Sequence, residues 1–252
     1  MKIVSWNVNG LRAVEKKDFL GWLLSEKADI VCIQETKLQE HQIPQNLVDI
    51  PGYYFYGNYA EKKGYSGVAV YTKIKPKKVF KEIGFEKFDK EGRMVRLDFN
   101  DFIFIGLYIP NGGRDKENMD YKIEFYNFFL NFLKGEKLKR IILAGDFNVA
   151  REEIDLARPN ENKNSTMFTP VERLQIDNLI KLGFIDTFRK FNNEGGNYSW
   201  WPYFANARER NLGWRIDYVF VSKSLSQNLK SAFIEAKTKG SDHCPVGIEI
   251  DL

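Results

Sequence analysis

Cysteine and histidine are scarce in this sequence, with two of each among 252 residues. No CxxC pair or Cys/His cluster occurs, which argues against a structural zinc site, and so low a count favours reduced thiols at Cys32 and Cys244. No apolar run approaches the roughly 18 residues that a membrane span requires. Asn7 and Asn9 also interrupt any apolar segment of the signal-peptide type. These absences predict a soluble, cytoplasmic protein that has no membrane partner.

The sequence also lacks a strong excess of charge of either sign. Lys and Arg number 38 against 34 Asp and Glu, and the net charge of +4 permits a polyanionic partner without requiring one. Hydrophobic residues make up 43% and aromatic residues 15%, so the chain can build a large core and is not disordered. No repeat, low-complexity stretch or linker divides it. We therefore expect residues 1–252 to form a single domain, with a monomer as the default state.

Short apolar segments recur along the whole chain, separated by polar turns. Alternating or continuous apolar character predicts nine strands: Lys2–Val8, Asp29–Gln34, Tyr53–Tyr59, Gly67–Thr72, Arg93–Phe99, Phe102–Tyr108, Arg140–Ala144, Arg215–Val221 and Val246–Ile250. The basic run Lys73–Lys81 is interpreted as a solvated strand face. Helical spacing predicts helices over Lys17–Ser25 and Tyr121–Leu133, and a third that runs from an N-cap at Thr169 to about Leu182. This combination indicates an α/β fold of two packed mixed β-sheets flanked by helices.

Polar side chains follow the first two strands at the point where each strand ends. Asn7 and Asn9 are two residues apart, so they would share one face of an extended chain. Glu35 follows the second strand, and Lys37 on the same face would hold its carboxylate ionised, as metal ligation requires. Taken singly, an Asx turn before Gly10 explains the two asparagines equally well. A cap or a surface charge is the commoner explanation of a lone glutamate.

Two later segments carry acidic, amide and imidazole groups. Asp146 and Asn148 offer one charged and one neutral oxygen, which suits a hard cation or a positioned water, although an Asx turn is the alternative. Asp242 and His243 precede the final strand, and a histidine that titrates near neutrality serves as a general acid, a base or a phosphate donor. Asp217, on the preceding strand, is in a position to fix the tautomer of that imidazole.

The four segments share one sequence pattern, an apolar strand followed by polar side chains. Four such segments together are hard to explain as turns. Their carboxylate and amide oxygens, without a thiolate, select Mg²⁺ or Mn²⁺ over zinc. Such a metal beside acids and a histidine fits phosphodiester hydrolysis. The metal would offset the charge of the scissile phosphate, a carboxylate would activate water, and His243 and Asn148 would donate to the developing oxyanion.

Six blocks of the chain, taken in order, carry a resemblance to a known family. The blocks are Trp6–Arg12, Gln34–Lys37, Tyr108–Gly112, Gly145–Asn148, Gly213–Tyr218 and Ser241–Pro245. They resemble the signature blocks of the exonuclease III/AP endonuclease family, within the DNase I-like endonuclease/exonuclease/phosphatase superfamily. The resemblance runs from Lys2 to Ile250 and implies a DNase I-like α/β sandwich with the site at one edge.

The resemblance also implies a role for each site residue. The residues that match the family's metal ligands are Asn7, Glu35, Asp146, Asn148 and Asp242, with Asn9 and Lys37 as supporting residues behind them. The residues that match its catalytic groups are Tyr108 as the catalytic tyrosine, Asp146 as the group that activates water, Asn148 as the transition-state stabiliser, His243 as the phosphate contact and Asp217 as its orienting partner. Whether Asp146 or a Tyr108 phenolate prepares the nucleophile stays open, as does the number of metals.

The segment Tyr198–Arg210 interleaves aromatic and basic residues, which suits contact with sugars, bases and backbone phosphates. Core packing explains Trp201 and Tyr203 equally well. The segment resembles the family's lesion-recognition loop, whose pocket for a flipped-out abasic deoxyribose matches Trp200, Trp214 and Ile216. The remaining residues expected to contact DNA are Arg208, Asn111 and Arg114, of which Arg114 matches an arginine that some relatives insert into DNA.

The expected function is that of a Mg²⁺-dependent AP endonuclease of base-excision repair, with Mn²⁺ as a possible substitute. Its substrates would be double-stranded DNA with abasic or 3′-blocked sites, and its further activities a 3′→5′ exonuclease and a 3′-phosphatase. Two alternatives stay open: a phosphoesterase for small phosphates or lipid head groups, and a DNA-binding protein without catalysis. The first should lack the aromatic–arginine segment, and the second should have lost core acids.

Overall fold

The computed structural model describes residues 1–136 and 139–252, in which twelve strands and seven α-helices are found. The strands are β1 (Lys2–Asn7), β2 (Ile30–Gln34), β3 (Tyr54–Asn58), β4 (Val68–Thr72), β5 (Lys78–Phe80), β6 (Met94–Asp98), β7 (Ile103–Tyr108), β8 (Ile141–Asp146), β9 (Phe184–Asp186), β10 (Asp217–Ser222), β11 (Leu229–Ile234) and β12 (Val246–Ile250). The helices are α1 (Leu11–Glu15), α2 (Phe19–Glu26), α3 (Gln45–Val48), α4 (Glu86–Asp89), α5 (Met119–Gly135), α6 (Pro170–Lys181) and α7 (Thr187–Phe191). Among the described residues, no helix is long and apolar enough to cross a membrane.

The strands form two six-stranded sheets with matching layouts. The first sheet has the order β11-β12-β1-β2-β4-β3, and the second has the order β5-β6-β7-β8-β10-β9. Each has a parallel pair at its centre, β1 with β2 and β7 with β8, and antiparallel strands on both sides of that pair. The predicted class, two packed mixed sheets flanked by helices, is confirmed.

The main core lies between the two sheets, because alternate residues of each strand point inward. Ile3 of β1 and Val219 of β10 belong to this shared core, whereas their neighbours Val4 and Phe220 pack on the opposite faces. The outer face of the first sheet is covered by α1, α2 and α3, and that of the second sheet by α5 and α6. Each sheet is therefore buried on both sides, which explains the nearly continuous apolar character of β2 and β8.

The predicted elements are present, with small differences at their ends. All nine predicted strands form, and the exposed β5 lies within the basic run that was interpreted as a solvated strand face. The sequence pattern missed β9 and β11. Thr169 caps α6 as predicted, within a capping box that Glu172 completes. The first predicted helix begins at Phe19, since Asp18 adopts a left-handed conformation and caps α2.

Candidate active site

The carboxyl ends of the two parallel strand pairs meet at one edge of the sandwich. Asn7 ends β1, and Glu35 follows β2 directly. In the second sheet, Tyr108 at the end of β7 is in register with Asp146 at the end of β8. Asp217, the first residue of the antiparallel β10, is paired with Asp146 from the other side. Parallel pairing thus places the polar ends of four strands at a common edge.

The amide of Asn7 joins the acidic groups of the two sheets. Its Nδ2 donates to Glu35 Oε1 and to Asp146 Oδ2, both at 2.8 Å, and its Oδ1 accepts from the backbone N–H of Asn9 at 2.9 Å. Ligand atoms of Glu35, Asp146 and His243 all lie within 4.8 Å of one another. The structure therefore brings together side chains that lie more than 200 positions apart in sequence. Because Asn9 occupies its oxygen, Asn7 directs its NH₂ group at the two carboxylates.

Glu35 is ionised by the groups that surround it. Burial would raise the pKa of its carboxyl, but the ammonium of Lys37 and the amide of Asn7 outweigh that effect, so the pKa lies below its usual value. Lys37 Nζ lies 2.7 Å from Glu35 Oε2 and also donates to Asn9 Oδ1. Glu35, Lys37 and Asn9 all have positive φ angles, between 48° and 54°, which non-glycine residues adopt uncommonly. Lys37 thus contacts Glu35 directly, and Asn9 contacts Lys37. Their role as supporting residues of a metal site stays a prediction.

Asp146 and Asn148 form one compact turn after β8. Asp146 Oδ1 accepts from the backbone N–H of Asn148 at 2.8 Å. Asn148 Nδ2 donates to the carbonyl oxygen of Ile109 at 2.9 Å, and its Oδ1 accepts from Asn111 Nδ2 at 3.1 Å. Burial, reinforced by the nearby charge of Asp217, raises the pKa of Asp146 above its usual value. Asp146 is therefore the carboxylate of the site with the greatest affinity for a proton.

His243 is held by a hydrogen-bonded chain of buried groups. Its Nδ1 lies 2.9 Å from Asp217 Oδ2, which also accepts from Ser199 Oγ at 2.7 Å. Its Nε2 lies 3.9 Å from Asp146 Oδ2, on the side of the acidic cluster. Burial alone would lower the pKa of His243, but Asp217, Asp146 and Asp242 raise it to about 10. The imidazole is therefore an imidazolium at neutral pH, with Nε2 available as a donor.

Tyr108 lies under the same cluster and keeps its proton. Burial and the charge of Glu35 raise its pKa well above the usual value for a phenol, although Arg93 acts in the opposite direction. The Arg93 guanidinium stacks 4.9 Å from the Tyr108 ring and donates to its carbonyl oxygen at 3.2 Å. These surroundings favour the neutral phenol over a phenolate.

Asp242 lies outside the three-residue cluster. Its Oδ1 accepts from Asn9 Nδ2 at 2.9 Å, and its Oδ2 accepts from Trp200 Nε1 at 3.0 Å. The pKa of Asp242 is lowered because His243, Asn9 and Trp200 together outweigh the effect of burial. Its contacts thus link the acidic cluster to the aromatic segment, while its role as a direct metal ligand stays a prediction.

An aromatic cluster adjoins the acidic cluster. Trp200 forms backbone bridges with both Trp214 and His243, and its ring centroid lies 6.4 Å from each of their rings. The three residues predicted to line a sugar pocket fall in one apolar cluster, where Trp200 is half-buried and Trp214 and Ile216 are buried. The other members of that cluster are Ala150, Leu156, Met167 and Phe168.

The other residues expected to contact DNA have different surroundings. Asn111 and Arg114 are exposed on the loop that follows β7. Arg208 stacks 4.6 Å from the Trp201 ring and donates to three backbone carbonyls, which include that of Ser241 at 2.9 Å. Arg208 thus braces the segment from within the fold. Of the two aromatic side chains that core packing explained equally well, Trp201 is buried, whereas Tyr203 is 74% exposed.

Three buried side chains that shape the site were not identified from the sequence as functional. Ser199 donates to Asp217, Arg93 stacks on Tyr108, and Lys122 donates to the backbone of Asn148. One signal was available for Lys122, because it lies three and four residues before Phe125 and Tyr126 on the apolar stripe of α5. A charged residue at such a position has a buried partner or a function. Ser199 carries no comparable signal.

The donor set fits a hard divalent cation. The half-buried carboxylate of Glu35 and the buried carboxylate of Asp146 approach one another from different sheets. Burial and the charge of Asp217 raise the pKa of Asp146, with a smaller contribution from Glu35, and a cation between the two carboxylates would favour their ionised forms. Asp217 Oδ1 is also buried and has no hydrogen-bond partner among the described residues. Oxygen donors without a cysteine are typical of magnesium and manganese sites. Glu35 and Asp146 are thus the carboxylates of this cluster able to hold a metal ion, with His243 beside them.

Known proteins match this chain over almost its whole length. A sequence profile described as the Endonuclease/Exonuclease/phosphatase family matches residues 4–243. The chain is 46% identical over 255 residues to an exodeoxyribonuclease of Bacillus subtilis, and the alignment covers all of both chains. It is 42% identical over 251 residues to the DNA repair nuclease APEX1 of Danio rerio, which covers 98% of this chain and 81% of that protein.

Solved structures agree with these matches. An AP endonuclease from Archaeoglobus fulgidus superposes with a TM-score of 0.92 at 29% identity, with all of both chains covered. The 3′ phosphatase NExo from Neisseria, bound to a product DNA hairpin, gives the same TM-score, identity and coverage. The resemblance to AP endonucleases is therefore confirmed in both sequence and fold. The chain belongs to the endonuclease/exonuclease/phosphatase family, in its exonuclease III/AP endonuclease branch, and is a nuclease that hydrolyses phosphodiesters.

Proposed function

We propose that this protein is a Mg²⁺-dependent AP endonuclease of base-excision repair. It hydrolyses the phosphodiester 5′ to an abasic site in duplex DNA and leaves a 3′-hydroxyl and a 5′-deoxyribose phosphate. The observation that carries the proposal is the position of Trp200, whose backbone pairs with both His243 and Trp214. The apolar cluster that contains the residues matching the family's sugar pocket thus directly adjoins the groups suited to act on the phosphate. Extrusion costs least where a base is already missing, so such a pocket selects for the lesion.

The residues divide the reaction among them. Glu35 and Asp146 hold the divalent cation, with the charge of Glu35 maintained by Lys37. A bound Mg²⁺, or Mn²⁺ in its place, offsets the negative charge of the scissile phosphate. Asp146 takes a proton from the attacking water, because its carboxylate lies in the acidic cluster beside Glu35 and His243 and a cation held there would keep it ionised. Tyr108 acts as a neutral hydrogen-bond donor, because its phenol keeps its proton.

Two donors stabilise the charge that develops on the phosphate. The imidazolium of His243 donates through Nε2, and Asp217 keeps the ring in that orientation through Nδ1. Asn148 donates through its amide, which Ile109 and Asn111 hold in place. The amide also donates to Asp146 Oδ2 at 3.3 Å, and this longer hydrogen bond would give way to one with the phosphate oxygen. Donors that are already in place when charge develops cost no reorganisation during the reaction. Loss of one such donor is expected to reduce kcat by about 10²- to 10³-fold.

The relatives support activity at DNA 3′ ends as well. One is named an exodeoxyribonuclease, and a structural neighbour is a 3′ phosphatase bound to a DNA hairpin. The proposed substrates are therefore duplexes with abasic sites or with blocked 3′ ends. At an abasic site the scissile phosphodiester lies beside a sugar that no base holds in the stack. Asn111 and Arg114, exposed on the loop after β7, are proposed to contact the DNA backbone.

The experiment that tests the function uses duplexes with one abasic, uracil or 3′-phosphate position, with Mg²⁺ and with EDTA. We expect the enzyme to cleave the abasic duplex in Mg²⁺. EDTA should abolish this cleavage, and Glu35→Gln should lower its rate by at least about 100-fold. Glu124→Gln is the matched control. Glu124 lies on α5 and forms an exposed ion pair with Lys87 of α4. Soluble inositol phosphates test the alternative of a small-molecule phosphoesterase. Preference for them over the abasic duplex would refute the proposal.

A second experiment tests the aromatic pocket. Trp200→Ala removes one wall of the pocket and the hydrogen bond to Asp242. We expect the variant to lose selectivity for the abasic duplex over an intact one. Equal selectivity in wild type and variant would show that the pocket does not receive the sugar. Phe191→Ala is a suitable control, because Phe191 is an exposed aromatic residue at the end of α7, outside the apolar cluster.

A further inference from the structure

Lys122 is a charged side chain in the protein interior that no step described above uses. Both Lys122 and Glu172 are 0% exposed, and Lys122 Nζ lies 2.5 Å from Glu172 Oε1. The same ammonium donates to the backbone carbonyl oxygen of Asn148 at 2.6 Å. A buried ion pair thus connects α5 and α6 with the turn that follows β8.

Glu172 is itself fixed on the chain that leads into α6. Its Oε1 accepts from the backbone N–H of Met167 at 2.9 Å, in addition to Lys122. Its Oε2 accepts from the backbone N–H of Thr169 at 3.0 Å and from the Thr169 hydroxyl at 2.6 Å. Every reorientation of the carboxylate would break several of these bonds. Glu172 therefore holds the Lys122 ammonium in one position.

At the other end of the contact, Asn148 needs support from its surroundings. Its backbone is left-handed, with φ at +52°, a conformation that a non-glycine residue adopts only where its neighbours stabilise it. Its N–H donates to Asp146 Oδ1 and its carbonyl accepts from Lys122. Asp146 and Lys122 thus fix the two peptide groups that flank Asn148, and with them the direction of its amide.

Stability alone does not account for this ion pair. Replacing a buried ion pair by apolar side chains of similar volume is often neutral or stabilising, because both charges must be desolvated. Burial indeed lowers the pKa of Lys122, although Glu172 opposes the shift. The contact that an apolar residue cannot reproduce is the hydrogen bond to the turn that carries Asn148.

We propose that Lys122, held by Glu172, is a positioning residue that fixes the Asp146–Asn148 turn and so aims the Asn148 amide at the scissile phosphate. The inference rests on the proposed function and concerns the same site. Lys122 does not touch the substrate. It acts through Asn148, and the loss of its ammonium leaves the binding surface for DNA unchanged.

The kinetic test uses Lys122→Met and the neutral pair variant K122M/E172Q, which keeps the interior free of an unpaired charge. We expect kcat on the abasic duplex to fall by about 10- to 100-fold, with KM within about twofold of the wild-type value. A displacement of the Asn148 amide by about 1 Å lowers the rate by a factor of that order. Arg96→Met is the matched control, because Arg96 forms a buried ion pair with Asp98 and Glu136 that does not reach the turn. It should lower the melting temperature and leave kcat unchanged. An unchanged kcat in K122M/E172Q would overturn the proposal.

A double-mutant cycle separates positioning from general structural damage. If Lys122 acts through Asn148, adding K122M to N148A should lower kcat by less than about twofold, since coupled residues are not additive. If the two losses multiply, Lys122 acts by another route and the proposal is wrong.

An NMR measurement without substrate keeps the inference separate from the function. The Asn148 side-chain amide signal, assigned by its absence in N148A, should shift in K122M and stay in place in R96M. An unshifted signal in K122M refutes the positioning role. Failure of the wild-type enzyme to cut the abasic duplex refutes the proposed function and leaves this readout intact.

Discussion

Replacing Asp217 by asparagine tests the electrostatic origin of the His243 charge. The substitution keeps the shape of the side chain and removes the carboxylate that lies 2.9 Å from His243 Nδ1. Burial lowers the pKa of His243, yet its pKa is raised from 6.5 to about 10, and Asp217 is foremost among the groups that raise it. At about 1.4 kcal/mol per pH unit, this rise corresponds to a preference of about 5 kcal/mol for the imidazolium.

Two other acids, Asp146 and Asp242, also raise the pKa of His243, so Asp217 does not account for the whole effect. We expect Asp217→Asn to lower the pKa by at least about 2 pH units, or about 3 kcal/mol. The assay is an NMR titration of the imidazole nitrogens in EDTA between pH 5 and pH 11. The chain has only two histidines, and the exposed His41 supplies a reference signal that His41→Gln identifies. An identical His243 titration in wild type and D217N would refute the reasoning.

The same substitution has a defined effect on stability. A group whose pKa is higher in the folded than in the unfolded state stabilises the fold fully below the unfolded pKa, here 6.5. That contribution is lost as the pH rises from 6.5 through about 10. The difference in melting temperature between wild type and D217N should therefore be largest below pH 6.5 and should shrink towards pH 10. A difference that grows with pH would contradict the assignment.

Three further predictions concern neighbouring parts of the fold. Burial would raise the pKa of Asp155, but Arg215 and Arg189 lower it, so the Asp155→Asn variant should be less stable than wild type by about 3 kcal/mol at pH 7 in urea unfolding. The difference should begin to shrink as the pH falls below 3.8, the ordinary pKa of the carboxyl, and should vanish only below the lowered pKa of the folded protein. Gly145→Ala should lower the free energy of unfolding by about 3 kcal/mol in the same assay, because the added Cβ would lie 2.0 Å from the carbonyl oxygen of Leu107, a backbone atom that cannot move aside. A urea midpoint equal to that of wild type would show that β7 and β8 can separate to admit the methyl group. Trp200→Phe keeps an aromatic ring but removes the hydrogen bond to Asp242 and part of the indole surface, and it should weaken abasic-duplex binding by about 10-fold in a titration. An unchanged affinity would show that the indole N–H is dispensable.

The sequence pattern located most strands because the two sheets are buried on both faces. Strands such as β2 and β8 consist almost wholly of apolar residues, which leaves little ambiguity about their burial. The two strands that were missed, β9 and β11, lie at the edges of the sheets. β9 has only three residues, and most of β11 is half-exposed, so neither shows a clear alternation. Their pairing partners come from elsewhere in the chain, and a local pattern does not contain that information.

The site was predictable where chemistry follows the end of a strand. Glu35 and Asp146 come directly at the carboxyl ends of parallel strands of different sheets, and the packing of one sheet on the other brings those ends together. Adjacency in sequence was less informative. Asp242 and His243 are neighbours, yet Asp242 contacts Asn9 and Trp200, whereas His243 faces Asp146.

Residues that act from a distance were not predictable. Ser199 and Lys122 contact the site through hydrogen bonds that join segments 18 and 26 residues apart. Their roles depend on how helices and loops pack, and single-sequence periodicity does not determine that packing. The orientation of the Asn7 amide also depends on one backbone N–H two residues away. Such details decide the chemistry of the site and become visible only in three dimensions.

The two sheets draw their strands from different parts of the chain, and this difference has a consequence for biosynthesis. All strands of the second sheet come from one continuous stretch, residues 78–222, whereas the first combines residues 2–72 with residues 229–250. During translation, β1 therefore pairs with its neighbour β12 only after residues 1–250 have been synthesised, and His243 is made just before β12. Pairings so distant along the chain close slowly, because a long loop must first be ordered. Catalytic competence is thus gained at the end of folding, and a nascent or truncated polypeptide carries no partially assembled nuclease.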